Sequence, residues 1–346
     1  PSPRVKGASV HMSRAVRYKK HLTTLQVFLS IVLVLLTVCV AVKAFFLKAP
    51  EQKAAELPAQ PASSDTDSQQ SPEEQAAQEA LRSHLERKGG FYTILLSGLD
   101  DDNGGSDTNI LVAVDTVNGY VYGVSIPRDS KAIIDGKARK INYAYNKGGT
   151  ELLADTVSEQ LGIPVDYTVS VNLKGFTALV DAIGGVDFDV PINMDYDDPI
   201  QNLSIHFKKG VQHLSGADAL RVVRFRHNND GSGYGSEDLG RMATQQKFLK
   251  AVAKKMLSAG NILTKIDDYA KIFNQYVDTN LTVGNLAWLG TEVLKMGVDK
   301  IDFSTLPNAW KYPYIYLDPT ETLTLVNTYL NPYVEDRTAD DLNIPG

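Results

Sequence analysis

Between residues 92 and 126 the apolar side chains come in three short β-rich runs, Tyr92–Gly98, Asn109–Asp115 and Tyr120–Ile126, and these predict three strands. The loop DDDNGGS separates the first two, and Val117-Asn118-Gly119-Tyr120 joins the last two. Asn-Gly between alternating runs predicts a type I′ hairpin, which needs positive φ at both central residues, so strands two and three are expected to be antiparallel. The period then becomes helical. Leu152, Leu153, Val157 and Leu161 share one face of a helix capped by Thr150 and stopped at Gly162. A strand over Tyr167–Leu173, a helix over Leu173–Ile183 closed by Gly184-Gly185, and a strand over Val186–Ile192 follow. Strands alternating with helices predict an α/β fold with a mixed sheet covered by helices.

Asn193–Leu214 reads as loop with a short strand or hairpin near Leu203–Phe207. Ser215 caps a helix that runs out into Arg224-Phe225-Arg226-His227. A Gly-rich loop then leads to a helix from about Asp238 to Leu257, with Phe248, Leu249, Val252 and Met256 on its buried face. A helix entered at Thr282, a final strand over Asp302–Leu306 and a closing helix over Glu321–Leu330 complete the pattern. Trp288, Trp310 and the run YPYIY (Tyr312–Tyr316) read as core or rim packing, and the residues after Asn331 as a polar, frayed tail.

The amino-terminal pattern differs. Leu25–Leu47 is almost continuously apolar and long enough to cross a bilayer as a helix, with Arg14, Arg17, Lys19 and Lys20 before it. The basic flank puts residues 1–24 on the cytoplasmic side and everything after Lys48 outside. Residues 1–11 carry no usable pattern and read as an added leader. From Ala49 to about Pro72 the chain lacks large apolar residues and reads as a tether, followed by a helix over Glu73–Lys88 that ends at Gly89-Gly90. The expected organisation is thus a cytoplasmic tail (1–24), a transmembrane helix (25–47), an extracytoplasmic tether (48–88), a folded domain (89–330) and a tail (331–346).

Composition narrows the function. With 35 basic and 41 acidic residues the net charge is -6, which argues against nucleic acid as a partner. The single Cys excludes a disulfide framework and a Cys-based zinc site.

If the loop after strand one also reverses the chain, Asp100, Asp107 and Arg128 meet at one edge of the sheet. Two carboxylates held close call for a cation, and hard oxygen ligands suit Mg2+, which favours one or two carboxylates plus phosphate oxygens. Arginine beside such a metal is a bidentate clamp for phosphate. The pattern thus points to a metal-assisted phosphate or pyrophosphate site. Arg224 and Arg226 at one helix end and Arg241, Gln245 and Gln246 in the first turns of the next can converge across the Gly-rich loop on the same anion. Solvated loop carboxylates and a solvated arginine face fit the same residues.

Taken together, ILLSGLD (Ile94–Asp100), Ser106-Asp107-Thr108, Ile126-Pro127-Arg128-Asp129, KINYAYNKGG, GGVDFDVP (Gly184–Pro191), LSGADALRVVRFRH (Leu214–His227) and Asp238-Leu239-Gly240-Arg241 running into Gln245-Gln246 resemble the LytR-CpsA-Psr family of bacterial cell-envelope proteins. The resemblance covers roughly Phe91 to Leu330. It implies an α/β/α sandwich that moves a glycopolymer from a polyprenyl-pyrophosphate carrier to peptidoglycan outside the membrane. In that picture Asp100 and Asp107 hold Mg2+, while Arg128, Arg224 and Arg226, supported by Arg241 and Gln245, grip the pyrophosphate. The prenyl tail lies in an apolar groove between the sheet and the helices after Thr150, Lys174 and Gln246, and Asp129 and Asp100 are the candidate bases. Two positions depart from the family pattern: Gly105 stands where an Arg commonly precedes Ser-Asp, and Thr244 where the second Arg of Arg-x-x-Arg-Gln is expected. Two other functions use the same residues, a lipid-pyrophosphate hydrolase and a non-enzymatic glycolipid-binding regulator.

Overall fold

The computed structural model describes residues 47–53, 84–99, 105–200, 203–235, 237–256, 268 and 271–346. The expected cytoplasmic tail, nearly all of the expected transmembrane helix and most of the tether lie outside these residues, as does Asp100. Among the described residues no helix is long and apolar enough to cross a membrane.

The described residues from Pro50 onward form one compact unit around a mixed six-stranded sheet. Its strands, in spatial order, are β11 (Val277–Thr279), β6 (Tyr167–Asn172), β1 (Phe91–Leu99), β2 (Ser106–Asp115), β3 (Tyr120–Ile126) and β12 (Ile301–Thr305). The central three are an antiparallel meander, flanked by parallel pairs β1–β6 and β3–β12. Strand alternation sends successive side chains to opposite faces, and both faces are buried. Phe91, Leu95, Leu111, Ala113 and Val124 pack against α1 (Asn142–Leu161) and the end of α6 (Pro319–Leu325) with its π turn Val326–Leu330. Tyr92, Ile94, Ile110, Val112 and Val121 face α5 (Val283–Met296). A second core joins α2 (Leu173–Ala182) and α3 (Gly216–Arg224) to the strands β7 (Val186–Val190), β8 (Met194–Asp198), β9 (Leu203–Phe207) and β10 (Gly210–Leu214). Helix α4 (Glu237–Met256) serves both cores, with Phe248 and Val252 on one side and Leu249 and Ala253 on the other.

The mixed sheet, the Ser215 and Thr282 caps and the α4 face follow the sequence reading. Several details do not. The β2–β3 turn is a four-residue loop in which Gly119 alone has positive φ (73°), so it is not type I′. Asp115 overrides that preference: its Oδ1 accepts from the Val117 and Asn118 amides at 3.0 and 2.7 Å and winds the chain into a longer turn. β7 pairs with β10 instead of joining the central sheet, and Asn193–Leu214 holds three strands. Helix α1 starts at Asn142, and its break at Gly148-Gly149, where Gly149 has φ 67°, sets off the turn that begins at Thr150.

Two short hairpins carry no period long enough to read in the sequence: β4–β5 (Lys131–Ile134 and Lys137–Lys140) and β13–β14 (Asn308–Lys311 and Tyr314–Leu317). The second follows the strand expected to be last and exposes Trp310 and Tyr312 instead of packing them.

The chain after Asn331 is not frayed: Asn331, Tyr333 and Arg337 are buried, and the Arg337 guanidinium lies 4.2 Å from the Tyr333 ring centroid. The tether reading also stops short, because residues 51–53 pack on the domain. Gln52 donates to the Lys88 and Phe91 carbonyls at 2.7 and 2.8 Å. The Lys53 amide donates to the buried Asp166, which also takes Arg87 at 2.8 Å and the Thr93 amide at 2.9 Å. A buried carboxylate needs such donors, which is why this polar segment is held.

Candidate active site at the carboxyl edge of the meander

The end of β1, the start of β2 and the end of β3 lie together, with Leu99 opposite Ser106 and Asn109 opposite Ile126. The register alone therefore brings Asp107 and Arg128 to one edge, and Arg128 Nη1 donates to Asp107 Oδ1 at 2.7 Å. Both side chains remain partly exposed, at 29% for Arg128 and 44% for Asp107. Next to them opens a cleft of about 390 Å3, continuous with solvent, lined by Asp107, Asn109, Arg128, Asp129, Arg241 and Gln245. Met242 and Ile315 supply apolar walls.

Arg241 comes from the first turns of α4 and is buried at 8% exposure, so its charge acts where water screens it least. Gln246 sets the helix in place: its Nε2 lies 2.9 Å from Ser125 Oγ and 2.7 Å from the Ser304 carbonyl, tying α4 to β3 and β12. Gln245 lines the cleft and donates to the Val223 carbonyl at 3.0 Å. That bond holds the end of α3 beside the cleft, with Arg224 the next residue. Arg224 and Arg226 themselves are half-buried, do not line the cleft, and flank Phe225, which is fully buried.

Asp129 does line the cleft, with Lys140 Nζ 3.0 Å from its Oδ1, so one oxygen of this candidate base is already engaged. Asp100 lies outside the described residues, directly after the last residue of β1.

The donor set suits a hard cation. Beside the Asp107 carboxylate, Asn109 is 1% exposed and its Oδ1 has no hydrogen-bond partner among the described residues. A buried acceptor left in this state points to a ligand at that spot. The carboxylate of Asp107 and the amide oxygen of Asn109 are hard donors that match Mg2+ chemistry.

The two departures from the family pattern have local structural accounts. At Gly105, with φ 122°, a Cβ would stand 3.1 Å from Asn146 Oδ1. Thr244 is 3% exposed, and its hydroxyl lies 3.1 Å from Tyr234 Oη and 2.9 Å from the Gly240 carbonyl. A Cβ on Gly240 would fall 2.1 Å from that of Tyr234, so the tyrosine lies directly on the helix. Its ring also meets Phe225 edge-on at 5.5 Å. Burial raises the Tyr234 phenol above its ordinary pKa, opposed by its hydrogen bond with Thr244 and by the nearby Arg241 charge.

The sequence did not single out Asn109 or Ile315. Asn109 sits inside an apolar strand, and Ile315 arrives from a hairpin some 190 positions downstream of Ser125, with which it shares the cleft.

Comparison with known proteins agrees with this architecture. Over 202 residues the chain is 37% identical to the polyisoprenyl-teichoic acid–peptidoglycan teichoic acid transferase TagV of Bacillus subtilis, covering 56% of this chain and 50% of that protein. It is 36% identical over 195 residues to the corresponding TagU of Bacillus cereus, covering 55% and 60%. The matches thus span about half to three fifths of those relatives. The crystal structure of B. subtilis TagV superposes with a TM-score of 0.59 at 32% identity, covering 70% of this chain and 96% of that one. A structure of TagT bound to LI-WTA gives a TM-score of 0.55 at 25% identity, covering 68% and 88%. The profile of the LytR_cpsA_psr family matches residues 57–330, and the chain belongs to that family.

Proposed function

We propose that the protein is a membrane-anchored transferase that moves a glycopolymer, of the teichoic acid or another wall or capsular class, from a polyprenyl-pyrophosphate carrier to peptidoglycan outside the cell. The observation that carries this reading is that one cleft collects Asp107, Arg128, Arg241 and Gln245 from β2, the turn after β3 and α4. The transferase activity for which TagV and TagU are named supports it.

Arg128 and Arg241 would bind the pyrophosphate oxygens, Arg128 by its planar fork and Arg241 as a buried charge. Gln245 positions the helix end that carries Arg224, and Arg226 follows two residues later. Asp107, with Asp100 and Asn109, would hold Mg2+, which when bound neutralises charge on the phosphoryl oxygens. An acceptor sugar hydroxyl attacks the sugar-linked phosphorus. The new O–P bond forms as the bridging P–O bond breaks, polyprenyl monophosphate leaves, and the hydroxyl proton passes to a carboxylate, Asp129 or Asp100. The prenyl chain would lie in an apolar groove on one face of the sheet; α1 covers one face and α4 the other, so the two do not line it together. The apolar run Leu25–Leu47 would anchor the chain with the domain on the extracytoplasmic side.

The test uses the full chain in membranes with labelled lipid-linked polymer and peptidoglycan. Wild type should attach polymer and Arg128→Ala should not; equal attachment by both rejects the reading. Free polymer released into water, with no attached product, identifies a hydrolase instead.

A further inference from the structure

The hairpin β13–β14 borders the cleft, yet no catalytic group lies on it. Ile315, which lines the cleft, has Trp310 as its directly opposed partner across the two strands. Directly opposed residues in an antiparallel pair project to the same face, so the indole extends the cleft wall by one strand. Ile315 is 8% exposed, whereas Trp310 is 61% exposed and Tyr312, at the tip, 86%. Two large aromatic rings in water beside a reaction cleft are costly unless something covers them.

The hairpin is fixed. The Ile315 amide donates to the Asp129 carbonyl at 2.9 Å, and Tyr314 Oη donates to the Ala138 carbonyl at 3.1 Å. The chemistry of the face selects its occupant. The residues alternating on it, Asn308, Trp310, Ile315 and Leu317, carry no charge, while Lys311 belongs to the opposite set with Tyr314 and lies 5.8 Å from the Tyr316 ring centroid. An uncharged aromatic wall suits the C–H faces of pyranose rings and offers nothing to a polyanionic phosphodiester chain.

We infer that Trp310 and Tyr312 form the platform on which the acceptor glycan strand lies, with its attacking hydroxyl turned toward the cleft. The inference rests on the transferase reading for its direction, and its binding part can be tested without turnover.

Glycan strands released from peptidoglycan by a muramidase are titrated into the whole protein while tryptophan emission is followed. The chain has two tryptophans, so the signal absent from Trp310→Phe belongs to Trp310. A saturable blue shift that Tyr312→Ala weakens about tenfold or more is expected, the range typical of a central aromatic contact. In turnover, Trp310→Ala and Tyr312→Ala should raise the acceptor KM by a similar factor, leaving kcat at saturating acceptor and donor cleavage by water unchanged. An unshifted emission together with an unchanged acceptor KM overturns the inference, as does a Trp310 response to isolated phosphodiester polymer but not to glycan strands. If wild type transfers nothing, the transferase reading fails and the titration alone decides.

Discussion

Arg128 and Asp107 meet through a 2.7 Å hydrogen bond, although 20 residues and the whole β2–β3 hairpin separate them in the chain. Both side chains are partly exposed, so the pair adds only about 0–1 kcal/mol to stability. Its value to the fold is therefore small against its value to an anion. Arg128→Ala should lower kcat/KM for polymer transfer by roughly 10²–10³-fold, the scale of losing one charged transition-state contact. The melting temperature should move little. Arg128→Lys should recover part of the loss, because charge returns without the fork. Turnover measured beside thermal unfolding checks all three, and a large fall in stability would mean that the arginine is structural.

What was readable in the sequence follows from which forces are local. The meander and the Ser215 and Thr282 caps depend on alternation and on side chains within three residues, so short windows contain them. That register also juxtaposes Asp107 and Arg128 without further information. The outer parts of the site depend on distant packing. Gln246 reaches Ser125 and Ser304, and Ile315 arrives on a hairpin whose short strands have no distinctive period. The carboxyl-terminal segment departs from its sequence expectation for a related reason. Its polar composition suggests solvent, but Asn331, Tyr333 and Arg337 are buried through bonds such as Asn331 Nδ2 to the Glu335 carbonyl at 2.8 Å, which composition does not encode.

Position 244 gives a prediction that separates charge from packing. Restoring the family arginine with Thr244→Arg forces a long cation into a site that is 3% exposed and covered by Tyr234. Overpacking of this kind costs about 1–3 kcal/mol, so the single variant should unfold at lower denaturant. Removing the obstruction with Tyr234→Ala in the same chain should recover part of that loss. Chemical denaturation of the four members of the cycle gives the coupling. Additive effects would show that the two side chains do not share the space.

Gly123 sits on β3 directly opposite Phe303 on β12. A Cβ there would approach the phenylalanine ring to 2.4 Å, and Ile110 closes the other side at 3.3 Å. The ring packs over Gly123 from the neighbouring strand, so a methyl group there forces it to shift. Gly123→Ala should therefore destabilise the domain by about 1–3 kcal/mol, despite the better strand propensity of alanine. Gly123→Ala combined with Phe303→Leu should be less impaired than Gly123→Ala alone. Denaturant midpoints decide, and a neutral Gly123→Ala would mean that the two strands separate more easily than their register suggests.

His84 ties the start of the folded domain to its end. Its ring nitrogens lie 3.1 Å from Glu335 Oε2 and 3.0 Å from Asp341 Oδ1, an arrangement that favours the imidazolium. The hydrogen bond with Asp341, then that with Glu335, raises the His84 pKa above its usual 6.5. The folded state thus holds this proton more tightly than the unfolded chain does. The stabilisation is complete below about 6.5, the unfolded value, and is lost as the pH rises through the raised folded value. Hydrogen exchange over residues 331–341, corrected for the intrinsic rate at each pH, should show protection falling between mildly acidic and mildly alkaline solution. His84→Gln keeps a neutral hydrogen-bonding side chain and should flatten that dependence, leaving protection at alkaline pH near the wild-type level. An unaltered pH dependence in His84→Gln would assign the effect to another group.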